Sequence, residues 1–413
     1  MTGGVPTPFE TLLIEANTQI GMSADIRNRA VHSPRRSPNL ADTFVDVASA
    51  HPEKPAMTFA ASVWSYSSLL ATALGIRDRL QQSPGFKPLS RVLVLLPNSA
   101  DYVAAFYGTL LAGGVVVPLA PKTETRQLLA ILGSTQARHV ITQTRFAKTV
   151  EAPAFQKESL SESPVDSVDE ASVPEELAAI FFTGGSTGQP KGVMLSHQNL
   201  LENARSIQKY LNIQPADQPL CVLPFYHAFG NSVLQSHLLA GAHLVVDGNV
   251  TFPETLVSAI DKHRATSLSG VPDLFRYLLE RSSLGTTVLP SLTYMAVAGG
   301  SLPHDLALKV VNRISPAKLY VMYGQTEATA RLAFVPPDRL ADLGPGCIGQ
   351  AVPGVELQIV DGSGGLVETG KQGEIRARGL NVMLGYWQDR AITIRRKSQY
   401  NFEFVWSCSR RPP

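Results

Sequence analysis

The sequence predicts an α/β fold with two parallel-sheet α/β subdomains packed together, plus a small β-rich subdomain. Short apolar runs alternate with helical patterns between residues 39 and 146, and the same alternation resumes after residue 190. From residue 347 the pattern changes to short β-type runs separated by glycines. Alternating strands and helices are typical of a parallel sheet covered on both faces. A chain of 413 residues that is 44% apolar can bury cores of this size.

Domain boundaries follow from changes in composition along the chain. Residues 1–38 carry several charges and no clean apolar core, so we expect a flexible leader and no signal peptide. The α/β domain covers residues 39–346, with a connector rich in Ser, Glu, Asp and Pro near residues 151–176. The β-rich subdomain covers residues 347–387. Residues 388–413 form a basic, aromatic tail without a regular period.

The first subdomain contains three short apolar runs that predict buried strands, Arg91–Leu96, Val115–Val117 and His139–Ile141. Ser99 is expected to cap the helix after the first strand, and a further helix is expected over Glu124–Leu132. This order of strands and helices predicts a parallel sheet in the first subdomain.

The second subdomain repeats the pattern. Apolar-periodic helices are expected over Pro253–His263 and Pro272–Arg281. The predicted strands are Leu220–Leu223, His243–Val246, Thr266–Leu268, Tyr294–Val297 and Leu319–Met322. In the β-rich subdomain, Val355–Val360 is the clearest strand.

The charge balance and the cysteines exclude several classes of function. The chain has 36 Lys and Arg residues against 34 Asp and Glu residues, so it lacks the basic field of a nucleic-acid-binding protein. Its cysteines, Cys221, Cys347 and Cys408, are odd in number and far apart, which favours a reducing, cytoplasmic location without a disulfide framework or zinc site. The charge-free stretch Tyr102–Ala120 is broken by a glycine pair and Pro118, so it predicts a helix and a strand rather than a transmembrane segment.

The most informative segment is a glycine-rich run between residues 183 and 192. It follows the apolar run Leu177–Phe181, which we expect to be a buried strand. Glycines let a backbone approach a ligand closely, Ser186 and Thr187 add hydroxyl donors, and Lys191 adds a cation. These are the components of a phosphate-binding loop, although a plain surface turn is the alternative. The nucleoside-triphosphatase P-loop is excluded, because Gly192 rather than Ser or Thr follows the lysine.

Three later segments also combine a predicted strand end with polar residues or glycines. They are Leu223–Gly230 with its single histidine, Ala296–Pro303 with its glycine pair, and Tyr320–Glu327 with its aromatic, hydroxyl and carboxylate groups. Each has a structural alternative: a packed histidine, a tight turn and a helix cap. Because the carboxyl ends of parallel strands share one edge of a sheet, we expect all four segments to converge there around a ligand.

From about Asn39 to Trp387 the chain resembles the adenylate-forming enzymes, which include acyl- and aryl-CoA synthetases, luciferases and the adenylation domains of peptide synthetases. Thr183–Gly192 matches the Thr-(Ser/Gly)-Gly-Ser-Thr-Gly-x-Pro-Lys-Gly signature of that family, and Tyr323–Glu327 matches its Tyr-Gly-x-Thr-Glu motif. Gly373–Ile375 and Gly385–Trp387 are shorter matches. The second residue of the signature is glycine here where serine is usual, which removes one hydroxyl from the phosphate contacts.

The resemblance implies a two-step reaction of a small carboxylic acid. The acid attacks the α-phosphate of ATP to give an acyl-adenylate and pyrophosphate, and a thiol, usually that of coenzyme A, then takes the acyl group. Two anions meet in the first step, so positive charge and oriented donors must offset their repulsion.

The resemblance also implies roles for particular residues, with catalysis assigned to Lys191, His227, Thr326 and Glu327. Thr326 is expected at the α-phosphate, Tyr323 on the adenine, and Glu327 on Mg²⁺. The ATP-binding residues are expected to be Thr183, Gly184, Gly185, Ser186, Thr187, Gly188, Lys191, Gly299, Gly300, Ser301, Tyr323, Gly324, Gln325 and Thr326. The acyl pocket is expected to be formed by His227, Phe229, Asn231 and Gly299.

Two features refine the expected activity. Residues 228–242 contain no Asp or Glu to pair with an ammonium group, which favours a fatty or aromatic acid over an amino acid. After Trp387 we find no Thr-Gly-Asp motif, hinge arginine or C-terminal domain with a catalytic lysine. This predicts a truncated or frameshifted product, or a mis-predicted reading frame, with impaired activity, and a divergent hinge is the alternative. The alternatives are a fatty acyl-AMP ligase that serves a carrier protein, and an inactive nucleotide-binding protein.

Overall fold

The computed structural model describes residues 10–14, 39–146, 173–183, 190–344, 346–396 and 404–407. Its helices are α1 (Leu40–Ala50), α2 (Tyr66–Gln82), α3 (Ala100–Leu111), α4 (Thr125–Thr135), α5 (His197–Leu211), α6 (Ala228–Leu238), α7 (Glu254–His263), α8 (Pro272–Arg281), α9 (His304–Ile314) and α10 (Arg390–Arg396). Short 3₁₀ turns lie at Thr326–Ala328 and Pro337–Arg339.

The strands, in chain order, are β1 (Glu10–Ile14), β2 (Pro55–Phe59), β3 (Ser62–Ser65), β4 (Arg91–Leu95), β5 (Val115–Leu119), β6 (His139–Gln143), β7 (Leu177–Thr183), β8 (Lys191–Ser196), β9 (Pro219–Leu220), β10 (Leu244–Val246), β11 (Ser267–Gly270), β12 (Tyr294–Val297), β13 (Lys318–Tyr323), β14 (Ala333–Val335), β15 (Gln350–Ala351), β16 (Val355–Val360), β17 (Glu374–Gly379), β18 (Gly385–Tyr386) and β19 (Phe404–Ser407). The chain divides into two compact units. The first comprises Met1–Lys54, Trp64–His197 and Tyr386–Gln388, and the second comprises the remaining segments.

The first unit is built on a seven-stranded sheet in the order β1-β6-β4-β5-β7-β8-β18. The five strands from β1 to β7 in this order pair in parallel, and β8 pairs antiparallel with β7. Every residue of β4, β5 and β6 is buried, as expected for a sheet covered on both faces. The three strands predicted in this region are confirmed, and β1 is an additional parallel strand in a segment where the sequence predicted a leader.

The charge-free stretch that was considered as a membrane span is α3 followed by β5. Ser99 caps α3 as predicted, because its hydroxyl accepts a hydrogen bond from the Tyr102 amide at 3.1 Å. Among the residues that the structure describes, every helix is too short or too polar to cross a bilayer.

The second unit is built on a nine-stranded sheet in the order β15-β14-β13-β12-β11-β9-β10-β2-β3. The strands from β13 to β2 in this order pair in parallel, and β14 and β15 add antiparallel strands at one side. The core beside this sheet is a cluster of buried, mostly aliphatic side chains. Phe275 also belongs to this cluster, and its side chain is fully buried. The alternation of strands and helices predicted for this region is therefore confirmed.

Three antiparallel strands, β16, β17 and β19, form the small β-rich sheet. β16 has the bounds that the sequence predicted. β19 comes from the segment that showed no regular period, because four residues are too few to display alternation. Most of the predicted connector and residues 184–189 lie outside the described residues.

Candidate active site

Three of the four segments predicted to carry chemistry leave one edge of the nine-stranded sheet. β12 and β13 run in parallel with Val297 opposite Val321, and β9 is parallel to β11 in the same sheet. The segments that contain His227, Gly299 and Tyr323 follow the carboxyl ends of these strands. Ligands bind at this edge of parallel sheets, which makes it the candidate site of the second unit.

The chain from Tyr323 to Ala330 forms a closed turn, and only glycine fits at position 324 of this turn. A Cβ atom on Gly324 would lie 1.8 Å from the Ala330 carbonyl oxygen, well inside van der Waals contact. The Gln325 carbonyl accepts hydrogen bonds from the Ala328 amide at 3.0 Å and the Ala330 amide at 2.9 Å. The turn therefore fixes the 3₁₀ helix that carries Thr326 and Glu327.

Asn381 holds this turn in place and was not identified from the sequence. Its side-chain amide donates hydrogen bonds of 3.1 Å to the carbonyls of both Ala328 and Arg331. The Thr329 hydroxyl donates to the Asn381 carbonyl at 2.6 Å. The only signal in the sequence was a polar residue between Leu380 and Val382, which is also typical of an ordinary turn.

His227 is the N-cap residue of α6, and its side chain reaches the surface. Partial burial lowers the pKa of its imidazole below the usual value. The ring lies 4.7 Å from that of Tyr226, centroid to centroid. A neutral imidazole beside solvent can donate or accept a hydrogen bond, which suits a residue that orients a carboxylate.

The glycine pair after β12 is exposed, with Gly299 at a φ of +83°. This backbone conformation is strained for residues with a Cβ atom, so the turn depends on glycine. The predicted pocket residue Asn231 is buried in α6, and Phe229 is half-buried there. Thus the predicted pocket residues His227, Phe229 and Asn231 lie on or beside the first turn of α6, and Gly299 follows β12.

Arg331 also contacts α6, and it was not predicted from the sequence. Its Cζ atom lies 5.2 Å from the centroid of the Phe229 ring. Its Nε donates to the Ser232 hydroxyl at 3.3 Å, and its Nη1 donates to the Tyr210 hydroxyl at 2.7 Å. This cation is only 1% exposed. In the sequence, Arg331 is a single charged residue between Ala330 and Leu332, and this pattern does not predict that its side chain is buried.

The fourth segment lies in the first unit, where Thr183 and Lys191 are opposite each other in the β7–β8 pair. The Lys191 ammonium lies 5.8 Å from the centroid of the Tyr386 ring, close enough for a cation–π contact. The Trp387 amide donates to the Gly192 carbonyl at 2.7 Å and thereby holds the Gly-Tyr-Trp segment against β8. The glycine-rich run therefore joins two antiparallel strands. Gly184, Gly185, Ser186, Thr187 and Gly188 lie outside the described residues.

Metal binding is expected at Glu327 alone. The described part of the chain contains no group of three or more His, Cys, Asp or Glu side chains that would hold a metal ion. A single carboxylate fits Mg²⁺, which commonly takes one or two protein carboxylates and fills its other positions with water and substrate phosphates. One carboxylate at this position is therefore compatible with a magnesium–nucleotide complex.

Comparison with known proteins identifies the family. The model of the AMP-binding enzyme family matches residues 44–387. The chain belongs to the AMP-binding enzyme family. A long-chain-fatty-acid–CoA ligase of Escherichia coli O157:H7 is 27% identical over 407 residues, a match that covers 86% of this chain and 72% of that ligase.

Solved structures share this fold. The crystal structure of VinN is 26% identical, with a TM-score of 0.75, and the match covers 91% of this chain and 100% of VinN. The inhibitor-bound N-terminal domain of FACL13 from Mycobacterium tuberculosis is 21% identical, with a TM-score of 0.78, covering 89% of this chain and 95% of that domain. The predicted fold class is therefore confirmed.

Proposed function

We propose that this chain activates a fatty or aromatic carboxylic acid with ATP and transfers the acyl group to the thiol of coenzyme A. Its membership of the AMP-binding family and its relatives named fatty-acid–CoA ligases support this proposal. The single observation that carries it is the closed Tyr323–Ala330 turn at the carboxyl edge of the nine-stranded sheet. A cytoplasmic location is part of the proposal.

In this proposal, ATP is bound through donors and a cation from both predicted motifs. Thr183, Ser186, Thr187 and Lys191 hold the β- and γ-phosphates, and Thr326 contacts the α-phosphate. Tyr323 stacks on the adenine next to Gly299, Gly300 and Ser301. Magnesium, when bound at Glu327, neutralises phosphate charge. The positive charge of Lys191 offsets the repulsion between the acid and the triphosphate, which is the main barrier to attack.

The acid is proposed to lie beside α6, with His227 at its carboxylate. A neutral imidazole can orient that carboxylate without forming an ion pair that would weaken the nucleophile. Helix α6 has no Asp or Glu to pair with an ammonium group, and the Arg331 guanidinium beside Phe229 would repel one. Both features disfavour an α-amino acid substrate.

Acid-dependent release of pyrophosphate by the purified 413-residue chain tests the first step. A panel of fatty, aromatic and amino acids is assayed with ATP and Mg²⁺, first alone and then with coenzyme A or a holo-carrier protein. We expect release with fatty or aromatic acids, at the reduced rate that the sequence predicts, and a thioester of coenzyme A. Release with amino acids alone would contradict the acid class, and nucleotide binding without any release would favour an inactive nucleotide-binding protein.

A further inference from the structure

Arg331 is a buried cation that lacks a carboxylate partner in the described part of the chain. It begins the segment that leads into β14 and is 1% exposed, yet no acidic side chain forms an ion pair with it among the described residues. Its Nη2 atom is buried and has no hydrogen-bond partner within the same described part of the chain. Buried charges are normally paired, because an uncompensated charge is costly to remove from water.

The guanidinium is held in one orientation by neutral groups only. Nη1 donates to the Tyr210 hydroxyl and to Met322 Sδ at 3.0 Å, while Nε donates to the Ser232 hydroxyl. The Ser232 hydroxyl in turn donates to the Phe229 carbonyl at 2.7 Å, so it is oriented to accept from Arg331. The backbone carbonyl of Arg331 accepts from Asn381 at 3.1 Å. Because these contacts use Nε and Nη1, the N–H groups of Nη2 are left as a preorganised pair of donors.

The surroundings of Arg331 remain uncompensated in charge. Burial, together with a smaller contribution from the positive charge of Arg331, lowers the pKa of nearby His237 to about 4, so this imidazole is neutral at pH 7. Asn231, one residue before Ser232, also has a buried side-chain nitrogen, Nδ2, without a hydrogen-bond partner in the described residues. Asn231 Nδ2 and Arg331 Nη2 are therefore two donors that lack partners among the described residues. Asn231 lies in the turn of α6 that is predicted to line the acyl pocket, and Arg331 packs against that turn.

We propose that Arg331 binds a second carboxylate at the far end of the acid, so that the preferred substrates are dicarboxylic acids. This proposal rests on the proposed function and specifies its substrate class. A guanidinium matches a carboxylate in charge and geometry, and binding would supply the missing partner for Nη2. A monocarboxylic acid of the same length would leave Nη2 unpaired and place an apolar end against a buried charge.

The test compares pairs of acids that differ only in the second carboxylate: hexanoate with adipate, octanoate with suberate, and decanoate with sebacate. Acid-dependent pyrophosphate release is measured for the unaltered chain and for Arg331→Met, which keeps an unbranched side chain of similar length without charge. Arg331→Lys keeps the charge but removes the Nη2 donors. Arg376→Met removes another buried arginine, 6% exposed in β17, and serves as the control.

We expect the unaltered chain to prefer the dicarboxylic member of at least one pair by about 10-fold or more in kcat/KM, since a buried polar group discriminates against an analogue that leaves it unpaired. Arg331→Met should lower kcat/KM for that acid by about 100-fold and abolish or reverse the preference for the dicarboxylic member of the pair, while Arg331→Lys falls between them. Arg376→Met should keep the original preference. The midpoint of thermal unfolding, measured for each variant, identifies any loss caused by misfolding.

Two results would overturn the proposal, and they separate it from the proposed function. Equal or better turnover of monocarboxylic acids, unchanged by Arg331→Met, would refute the role of Arg331 while leaving acid activation in place. If no acid supports pyrophosphate release, the proposed function fails, and calorimetry with the same acids still tests Arg331. In that case the assignment of Arg331 would be refuted if the unaltered chain did not bind dicarboxylic acids, or if Arg331→Met bound them with the same affinity.

Discussion

Several individual side chains hold their charge state because of where the backbone places them. His227 and His237 lie at opposite ends of α6, and burial lowers the pKa of both. His237 is the extreme case: its ring is 1% exposed and bonds to the Val233 carbonyl and the Tyr294 hydroxyl. The Lys191 ammonium, by contrast, is half-buried against an aromatic ring. Burial therefore keeps both histidines neutral at pH 7.

Replacing Lys191 tests the proposed phosphate contact. We expect Lys191→Met to lower acid-dependent pyrophosphate release by about 10²–10³-fold, because a charge that stabilises the transition state is removed. Lys209→Met, on the exposed face of α5, is the matched control and should leave the rate unchanged. Equal rates for the two variants would contradict the role of Lys191.

The protonation state of His227 has a consequence for the pH profile. Because its pKa lies below about 6.5, the imidazole is neutral above about pH 7. We expect His227→Ala to lower kcat by about 10-fold or more, as for loss of a positioned polar group. The rate ratio of the unaltered chain to the variant should stay constant from about pH 7 to pH 9. A ratio that falls steadily over this range would show that a protonated His227 is required.

At the scale of secondary-structure elements, the loops of the second unit depend on contacts with distant segments. The turn after β13 is closed by its own backbone bonds, and Asn381 ties it to residues near β18. Asn199 on α5 holds the same segment, since its amide donates to the Leu380 and Val382 carbonyls at 2.8 Å each. Two asparagine side chains thus replace the ladder hydrogen bonds that an irregular segment lacks.

Removal of Asn381 should loosen this turn. Asn381→Ala removes the side-chain donor to the Ala328 carbonyl and leaves the Arg331 carbonyl with only the 3.4 Å bond from Asn203, which we expect to lower the free energy of unfolding by about 2 kcal/mol. ATP binding should weaken as well, because Thr326 and Glu327 lie in the affected turn. Urea denaturation and calorimetry with ATP measure the two effects. Asn312→Ala, exposed on α9, should change neither. A variant as stable as the unaltered chain would refute the bracing role.

At the scale of the whole molecule, the two largest sheets have long parallel regions and present loops at the carboxyl ends of their strands. The parallel strands β4, β5 and β12 are buried along their whole length, which explains why their sequences are nearly continuous apolar runs. The antiparallel strands β8, β14 and β15 interrupt this pattern. A buried ionisable group often has different pKa values in the folded and unfolded states. The free energy of unfolding of such a unit therefore depends on pH.

His237 should make the stability of the protein fall in acid. Its pKa is about 4 when folded against about 6.5 when unfolded, so its contribution is complete above pH 6.5 and is lost as the pH falls toward 4. The shift corresponds to about 3 kcal/mol of unfolding free energy. Urea denaturation between these pH values should show a shallower loss for His237→Gln, whereas the exposed control His51→Gln should match the unaltered chain. Identical slopes for all three would contradict this assignment.

The predicted fold class and most strand positions agree with the structure because they depend on local patterns. Tyr294–Val297 and Val355–Val360 have the predicted bounds, and Pro272–Arg281 is helical as expected. Leu220–Leu223 was predicted as a strand, but only its first residue belongs to β9. Beyond Leu220 the chain forms the loop that leads to His227. The length of an apolar run in the sequence does not show at which residue the strand stops pairing with its neighbours.

The sequence by itself determined the family, the alternation of strands and helices, and the motifs Thr183–Gly192 and Tyr323–Glu327, because each depends on neighbouring residues or a fixed spacing. Only the tertiary structure decided that Asn381 braces the second motif and that Arg331 is buried with no carboxylate partner among the residues that the structure describes. Both depend on segments brought together across the fold, and burial and hydrogen-bond satisfaction are properties of that assembled environment. The strand pairing of Phe404–Ser407 was decided in the same way, by a partner strand more than twenty residues earlier in the chain.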